Sequence, residues 1–223
     1  VWVGNNWWVN NYGSYLGIKA TDEDFHLRTA AKDRRAVRQF LQSRFQSAID
    51  SAPLIYANPA ARWQSKFWPI EHWAALCDKL HAGGLRVVFG GSPQDTKYLA
   101  SITQSMKTEP IIAAGILTLP QSAVLIQQAS LYIGLDSGPM HIAALARTPV
   151  VALFGPTHPS RVGPYNPGKE KHRILRAEEL DCLECRKRSC SHRSCMRKIA
   201  PEMVYKAART LLDADSNSGK RNR

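Results

Sequence analysis

No stretch of this chain approaches about 18 consecutive apolar residues, so a membrane-spanning helix is not expected. The start, Val1-Trp2-Val3-Gly4-Asn5-Asn6, has neither a charged leader nor a long apolar core, which argues against an export signal. With no Met at its head it reads as a processed chain or a fragment, and the expected compartment is the cytoplasm. Two motifs are missing as well. Without Gly-x-Gly-x-x-Gly there is no dinucleotide fingerprint, and without a Gly-x-Ser-x-Gly elbow a serine hydrolase is rejected. No recognised nucleic-acid module is present, so nucleic acid is not the expected partner. Acidic residues are scarce, 18 Asp and Glu against 30 Lys and Arg. Cysteine is scarce too: five in all, four of them within Cys182–Cys195.

What is present suits a soluble α/β domain. A chain of 223 residues can bury one good core, alone or with appendages, and 44% hydrophobic with 22% charged residues is ordinary for a globular protein. The net charge is +12, and half of it falls in 181–223, where 11 Lys and Arg face 5 Asp and Glu. Such a balance attracts anionic membrane surfaces or phosphorylated ligands. Residues 216–223 read as a solvated basic tail.

One stretch organises the rest: Tyr132-Ile133-Gly134-Leu135-Asp136-Ser137-Gly138-Pro139-Met140-His141. Leu131 to Leu135 reads as a buried strand, Asp136 to Pro139 as a turn and Met140 to Ala146 as a helix. Asp136, Ser137, Gly138 and His141 therefore meet where a strand hands over to a helix N-terminus. Free N–H groups and the positive helix end favour an anion there, phosphate above all. Asp136 beside a phosphate is unfavourable unless it orders nearby donors or holds a cation.

Along the chain, residues 1–20 crowd Trp2, Trp7, Trp8, Tyr12 and Tyr15 among Asn and Gly, as a tail cut from a neighbouring domain would. Asp33 to Ile49 carries apolar residues at helical spacing and reads as a linking helix. Strands over 54–57, 85–89, 111–112, 131–135 and 150–154 then alternate with helices over 71–81, 92–106, 120–129 and 140–146. That alternation predicts a Rossmann-like parallel sheet with right-handed crossovers and helices on both faces. A further strand over 173–175 is followed by a Cys-rich loop and a closing helix over 201–212. Residues 213–223 are expected to be disordered.

Three other places could carry chemistry. The loop Asn58 to Pro69 follows the first strand of the main domain; there Arg62 and Lys66 could meet a diphosphate, or else be exposed loop cations beside packed Trp63 and Trp68. In Gly90-Gly91-Ser92-Pro93-Gln94-Asp95 the glycines could admit a ligand, with an amide or acid on a ribose, or Asp95 could simply cap a helix. Cys182, Cys185, Cys190 and Cys195, with His192 among them, could hold a structural zinc or remain reduced thiols, with disulfides less favoured in a chain lacking an export signal. Cys77 lies on an apolar helix face and reads as core.

Taken in order, Pro59–Pro69, Gly90-Gly91, Asp136–His141, Phe154-Gly155-Pro156-Thr157 and Cys182-x2-Cys185 resemble glycosyltransferase family 9, the lipopolysaccharide heptosyltransferases, over about residues 50 to 212. The resemblance implies the C-terminal half of a GT-B fold and an inverting transfer of heptose from ADP-heptose to a lipid A-linked core oligosaccharide. The setting implied is the cytoplasmic side of the inner membrane, with peripheral contact to its anionic leaflet. Lys66 would meet the donor phosphates. Asp136, Ser137, Gly138 and His141 would hold the diphosphate and sugar. Gln94 or Asp95 would meet the ribose, and Leu117 would lie against the adenine. No cofactor is required by this scheme. Ala60 stands where the family often has Gly. Residues 1–50 would be the remnant of the acceptor domain with its linking helix, and the catalytic base would lie outside this chain.

Overall fold

Strands and helices alternate from Leu54 onward, in a computed structural model that describes residues 27–44, 52–165 and 171–219. Helix α1 (Ala31–Arg44) leads to strand β1 (Leu54–Asn58), a 3-10 turn (Gln64–Lys66), α2 (Ile70–Ala82) and β2 (Arg86–Phe89). A second 3-10 turn (Pro93–Asp95) runs into α3 (Thr96–Gln104), β3 (Ile111–Ile112), α4 (Leu119–Gln128) and β4 (Leu131–Leu135). Then come α5 (Gly138–Leu145), β5 (Val150–Phe154), α6 (Pro159–Val162), β6 (His172–Arg176), α7 (Ser194–Arg197) and α8 (Pro201–Gly219). The six strands form one sheet in the order β3-β2-β1-β4-β5-β6, and every pairing is parallel.

The strands are apolar on both sides because helices cover both faces. Side chains alternate across the sheet. Ile55, Ala57, Ile133, Leu135, Val151 and Leu153 join a core with Trp73, Leu76, Leu80, Leu99 and Val204 of α2, α3 and α8. Tyr56, Val88, Tyr132, Ala152 and Phe154 point the other way, into a core with Val37, Phe40, Leu125 and Met140 of α1, α4 and α5. Cys77 is in the first core, as its helical position predicts. At the end of α2 the chain turns through Gly84 at φ +77, a conformation costly for residues with a Cβ.

Several boundaries differ from the sequence reading. Helix α1, expected as a linking helix, packs on the domain through Val37, Phe40 and Leu41, which are buried in the second core. Residues 1–26, with their aromatic cluster, lie outside the described residues. The helix expected over 92–106 is split, because Pro93 follows Ser92 and the Asp95 carboxylate accepts from both the Ser92 N–H and its hydroxyl, which sets up a 3-10 turn first. Helix α8 continues through 213–219 instead of stopping at Leu212. Arg209 pairs with Asp213 one turn on, and the first helix-breaking residue is Gly219.

Candidate functional site

The chain leaves β1 for β2 on one side of the sheet, while β4 lies on the other, so the crevice between β1 and β4 is a topological switch point. Asn58 and Gly134 are in register there, and the loops after both strands emerge at the same sheet edge. Lys66 comes from the first loop and Asp136 from the second.

Asp136 is the hub. It is 6% exposed, and its Oδ2 lies 2.5 Å from Lys66 Nζ. The Lys66 ammonium also donates to the Asp136 backbone carbonyl at 3.1 Å, and the Thr157 hydroxyl donates to Asp136 Oδ2 at 2.7 Å. One carboxylate thus ties the loops after β1, β4 and β5 together. It faces its own donors, which removes the difficulty of an acid beside a phosphate. An ammonium carries three N–H donors, and Lys66 spends two on Asp136. The third is left for a ligand. Trp63 backs the ammonium with its ring, 4.6 Å from Nζ to the centroid.

Beside Lys66, α5 begins at Gly138 with Pro139 in its first turn, a position where proline's missing donor is harmless. Ser137 precedes it in extended conformation, and its hydroxyl does not cap the helix. Instead it donates to the Leu135 carbonyl at 3.2 Å. No side chain caps the helix; Pro139 has no N–H and the Met140 N–H donates to the Ser137 carbonyl at 3.1 Å, which leaves the Gly138 N–H as the first-turn donor. A Cβ placed on Gly138 would meet nothing within 4 Å, so open space adjoins this helix end. A half-buried cation and an uncapped helix N-terminus beside open space can together hold a diphosphate. His141 sits on the same turn with an exposed edge. Desolvation by the surrounding protein holds its pKa below the ordinary value; Asp136 opposes that shift and Lys66 adds to it.

The structure thus brings Lys66, Asp136, Ser137, Gly138 and His141 to one crevice. The other residues named from the sequence have surroundings of their own. Arg62 is exposed on its loop. Gln94 is exposed and lines a separate cavity with Gln64. Asp95 is engaged in the Ser92 cap, and Leu117 packs against the second core. The glycine pair after β2 has a structural duty: a Cβ on Gly90 would lie 1.8 Å from the Tyr56 hydroxyl, so its missing side chain admits Tyr56.

Two residues escaped the sequence reading as site members. Thr157 stands in the turn after β5, and only its place at the same sheet edge could have signalled its bond to Asp136. Asn58, 2% exposed, ends β1; its Nδ2 donates to the Ala60 carbonyl at 2.8 Å, while its Oδ1 is buried with no partner. A polar residue closing an apolar strand was the available signal.

The Cys-rich segment docks on the turn that carries Lys66. The Ser65 hydroxyl donates to the Lys187 carbonyl at 2.6 Å and the Ser65 N–H to the Arg188 carbonyl at 3.2 Å. All the cysteines are free: Cys182 and Cys185 are exposed, Cys190 is partly exposed, and Cys77 and Cys195 are buried. Among the described residues no group of three or more His, Cys, Asp or Glu side chains is arranged as metal ligands. Burial, with the neighbouring thiols adding to it, pushes the Cys195 pKa up.

A family model described as Glycosyltransferase family 9 (heptosyltransferase) matches residues 13–196. Lipopolysaccharide heptosyltransferase 3 of Escherichia coli K12 is 32% identical over 171 residues, covering 75% of this chain and 49% of that protein. Lipooligosaccharide heptosyltransferase 2 of Haemophilus influenzae is 31% identical, covering 74% and 49%. The crystal structure of a glycosyl transferase family 9 protein from Veillonella parvula superposes with a TM-score of 0.77 at 29% identity, over 91% of this chain and 58% of that one. The E. coli ADP-heptose LPS heptosyltransferase II gives 0.69 at 26%, over 86% and 54%. The E. coli heptosyltransferase WaaC with ADP shares the fold, with a TM-score of 0.58 at 19% identity, over 87% and 52%. The chain therefore spans about half the length of the relatives it matches, and its six-stranded parallel domain corresponds to half of their GT-B fold.

Proposed function

This chain belongs to glycosyltransferase family 9, and from that premise we propose that it is the nucleotide-sugar-binding half of an inverting heptosyltransferase, taking ADP-heptose as donor. The observation that carries the reading is the Lys66–Asp136–Thr157 constellation beside the open N-terminus of α5. In the transfer, an acceptor hydroxyl loses its proton to a base and attacks the anomeric carbon, and ADP departs. Negative charge grows on the diphosphate as that bond breaks. Lys66, with one N–H turned from Asp136, and the first turn of α5 stabilise that charge where it develops. Asp136 holds the Lys66 ammonium in place, and Thr157 fixes Asp136. His141, held below its ordinary pKa, acts as a neutral hydrogen-bonding group on the donor. No residue described here is assigned as the base. The acceptor in this reading is a lipid A-linked core oligosaccharide, met at the cytoplasmic face of the inner membrane, where a net charge of +12 favours an anionic leaflet.

A second reading is a donor-binding module without transfer, since no described residue is assigned as the base. Calorimetry and a transfer assay separate the two. Saturable ADP binding by this chain is expected in both readings; heptose transfer to a heptose-deficient lipopolysaccharide once the chain is joined to an acceptor domain of the family supports the first, and ADP binding without transfer in that joined protein supports the second. Absence of binding to ADP and to ADP-heptose would overturn both.

A further inference from the structure

A serine placed just before a helix is favoured there because its oxygen can accept from a first-turn N–H. Ser137 has the extended backbone of such a residue and yet makes no capping bond. Its hydroxyl is engaged elsewhere. It donates to the Leu135 carbonyl at 3.2 Å and accepts from Asn58 Nδ2 at 3.5 Å.

Asn58 is an unusual residue for its position. It closes a strand in which Ile55, Tyr56 and Ala57 are buried, and it is itself 2% exposed. Its Oδ1 is buried without a partner. A buried amide with an orphaned acceptor costs stability that an apolar residue of similar size would not. The way the amide faces is fixed by the 2.8 Å bond from Nδ2 to the Ala60 carbonyl. Turned over, it would set Oδ1 against that carbonyl, acceptor against acceptor. The two Nδ2 hydrogens therefore serve two different loops. Ala60 belongs to the loop that carries Lys66, and Ser137 to the turn that opens α5. Asn58 and Gly134 are register partners at the ends of β1 and β4, so the amide spans the mouth of the switch point.

We propose that Asn58 is a positioning residue for the donor diphosphate, acting through Ser137. By holding the Ser137 hydroxyl toward the end of β1, it sets the turn that presents the Gly138 N–H. By holding Ala60, it keeps the Lys66 loop against that turn. The Lys66–Asp136 pair ties the same two loops with charge; Asn58 ties them without adding a second carboxylate beside a phosphate. Groups fixed in advance lose less freedom when the ligand arrives. The proposal rests on the donor reading above.

The test is a double-mutant cycle on ADP binding. Calorimetric titrations use the 223-residue protein at a temperature where each variant is folded, checked by far-UV circular dichroism. The variants are Asn58→Leu, Ser137→Ala and the two together. Asn58→Ala, smaller than the residue it replaces, takes the place of the leucine if that side chain does not fit. Replacing Asn58 is expected to weaken ADP binding about three- to tenfold, the worth of one hydrogen bond. In the Ser137→Ala background the same change is expected to cost less than about twofold, because the partner through which Asn58 acts is already gone. A merely structural role for Asn58 would give equal losses in both backgrounds, and that additive result would overturn the proposal. Unchanged ADP affinity in the Asn58 variants, with the wild type binding ADP, would also overturn it and leave the donor reading standing. A wild type that binds neither ADP nor ADP-heptose would overturn the donor reading and this proposal with it.

Discussion

Replacing Lys66 with Met removes the charge that the donor reading places on the diphosphate while keeping an unbranched side chain of similar length. Two effects follow from the geometry. The Lys66 and Asp136 side chains are 13% and 7% exposed, so the pair is largely shielded from water. Removing one member of a buried pair costs about 3–5 kcal/mol, because the other charge is left without its partner. Asp136 keeps the Thr157 hydroxyl, and residual exposure screens the pair, so about 2–3 kcal/mol is expected. For a protein of this size that lowers Tm by about 4–12 °C. The second effect is on binding. Losing one charge-assisted bond to the diphosphate costs about 1.5–3 kcal/mol, or about 10- to 150-fold in ADP affinity.

Adding Asp136→Asn separates these effects. The double variant has no stranded carboxylate, so it should recover half or more of the lost stability. It should recover none of the ADP affinity, because the cation is still absent. Thermal denaturation reads the first quantity and calorimetric titration with ADP the second, at a temperature where every variant is folded. Unchanged ADP affinity in Lys66→Met would refute the assignment of Lys66 to the diphosphate. Recovery of ADP affinity in the double variant would refute it equally, by showing that Lys66 acts only through folding.

The remaining predictions concern the helix end, the histidines and the thiols. Gly138→Ala should fold with stability within about 1 kcal/mol of wild type, since helix propensity favours Ala by about that much and a Cβ meets no atom there. Its ADP affinity should fall, because the methyl enters the space assigned to the diphosphate; unchanged affinity would place the phosphates elsewhere. His141 and His172 are both held below the ordinary value of 6.5 by burial. The unfolded chain therefore binds protons first as pH falls below about 6.5, so stability is full above that pH and declines below it. Tm measured from pH 7 to 5 should fall, and the fall should shrink in a His141→Gln, His172→Gln double variant. Under native conditions a thiol reagent should label Cys182 and Cys185 fastest, Cys190 more slowly, and Cys195 and Cys77 slowest, following exposure and the raised pKa values of the buried pair. Protection of all four cysteines of the 182–195 segment, lifted by a chelator, would instead show a metal site.

The strands were legible because their signal is local. Leu131–Leu135, Val150–Phe154 and Ile111–Ile112 are short apolar runs closed by turn residues, and all three appear where the runs predict them. Helix starts were less legible, because they depend on capping bonds. The 3-10 turn before α3 rests on Asp95 reaching back to Ser92, which composition alone does not reveal. At the site, the residue types were visible but their partners were not. Lys66 and Asp136 are 70 residues apart, and Ser65 and Lys187 are 122 apart; only the order of strands in the sheet brings each pair together. Asp136 looked like an obstacle to phosphate until its Oδ2 was seen to accept from both Lys66 and Thr157. Gly90 looked like room for a ligand and is instead room for Tyr56.

The most direct measurement is a crystal structure of this protein with ADP. The result expected is a diphosphate oxygen about 2.7–3.0 Å from Lys66 Nζ, with a further oxygen accepting from the Gly138 N–H at the start of α5. ADP bound with its phosphates away from Lys66 and that helix end would contradict the donor-site assignment.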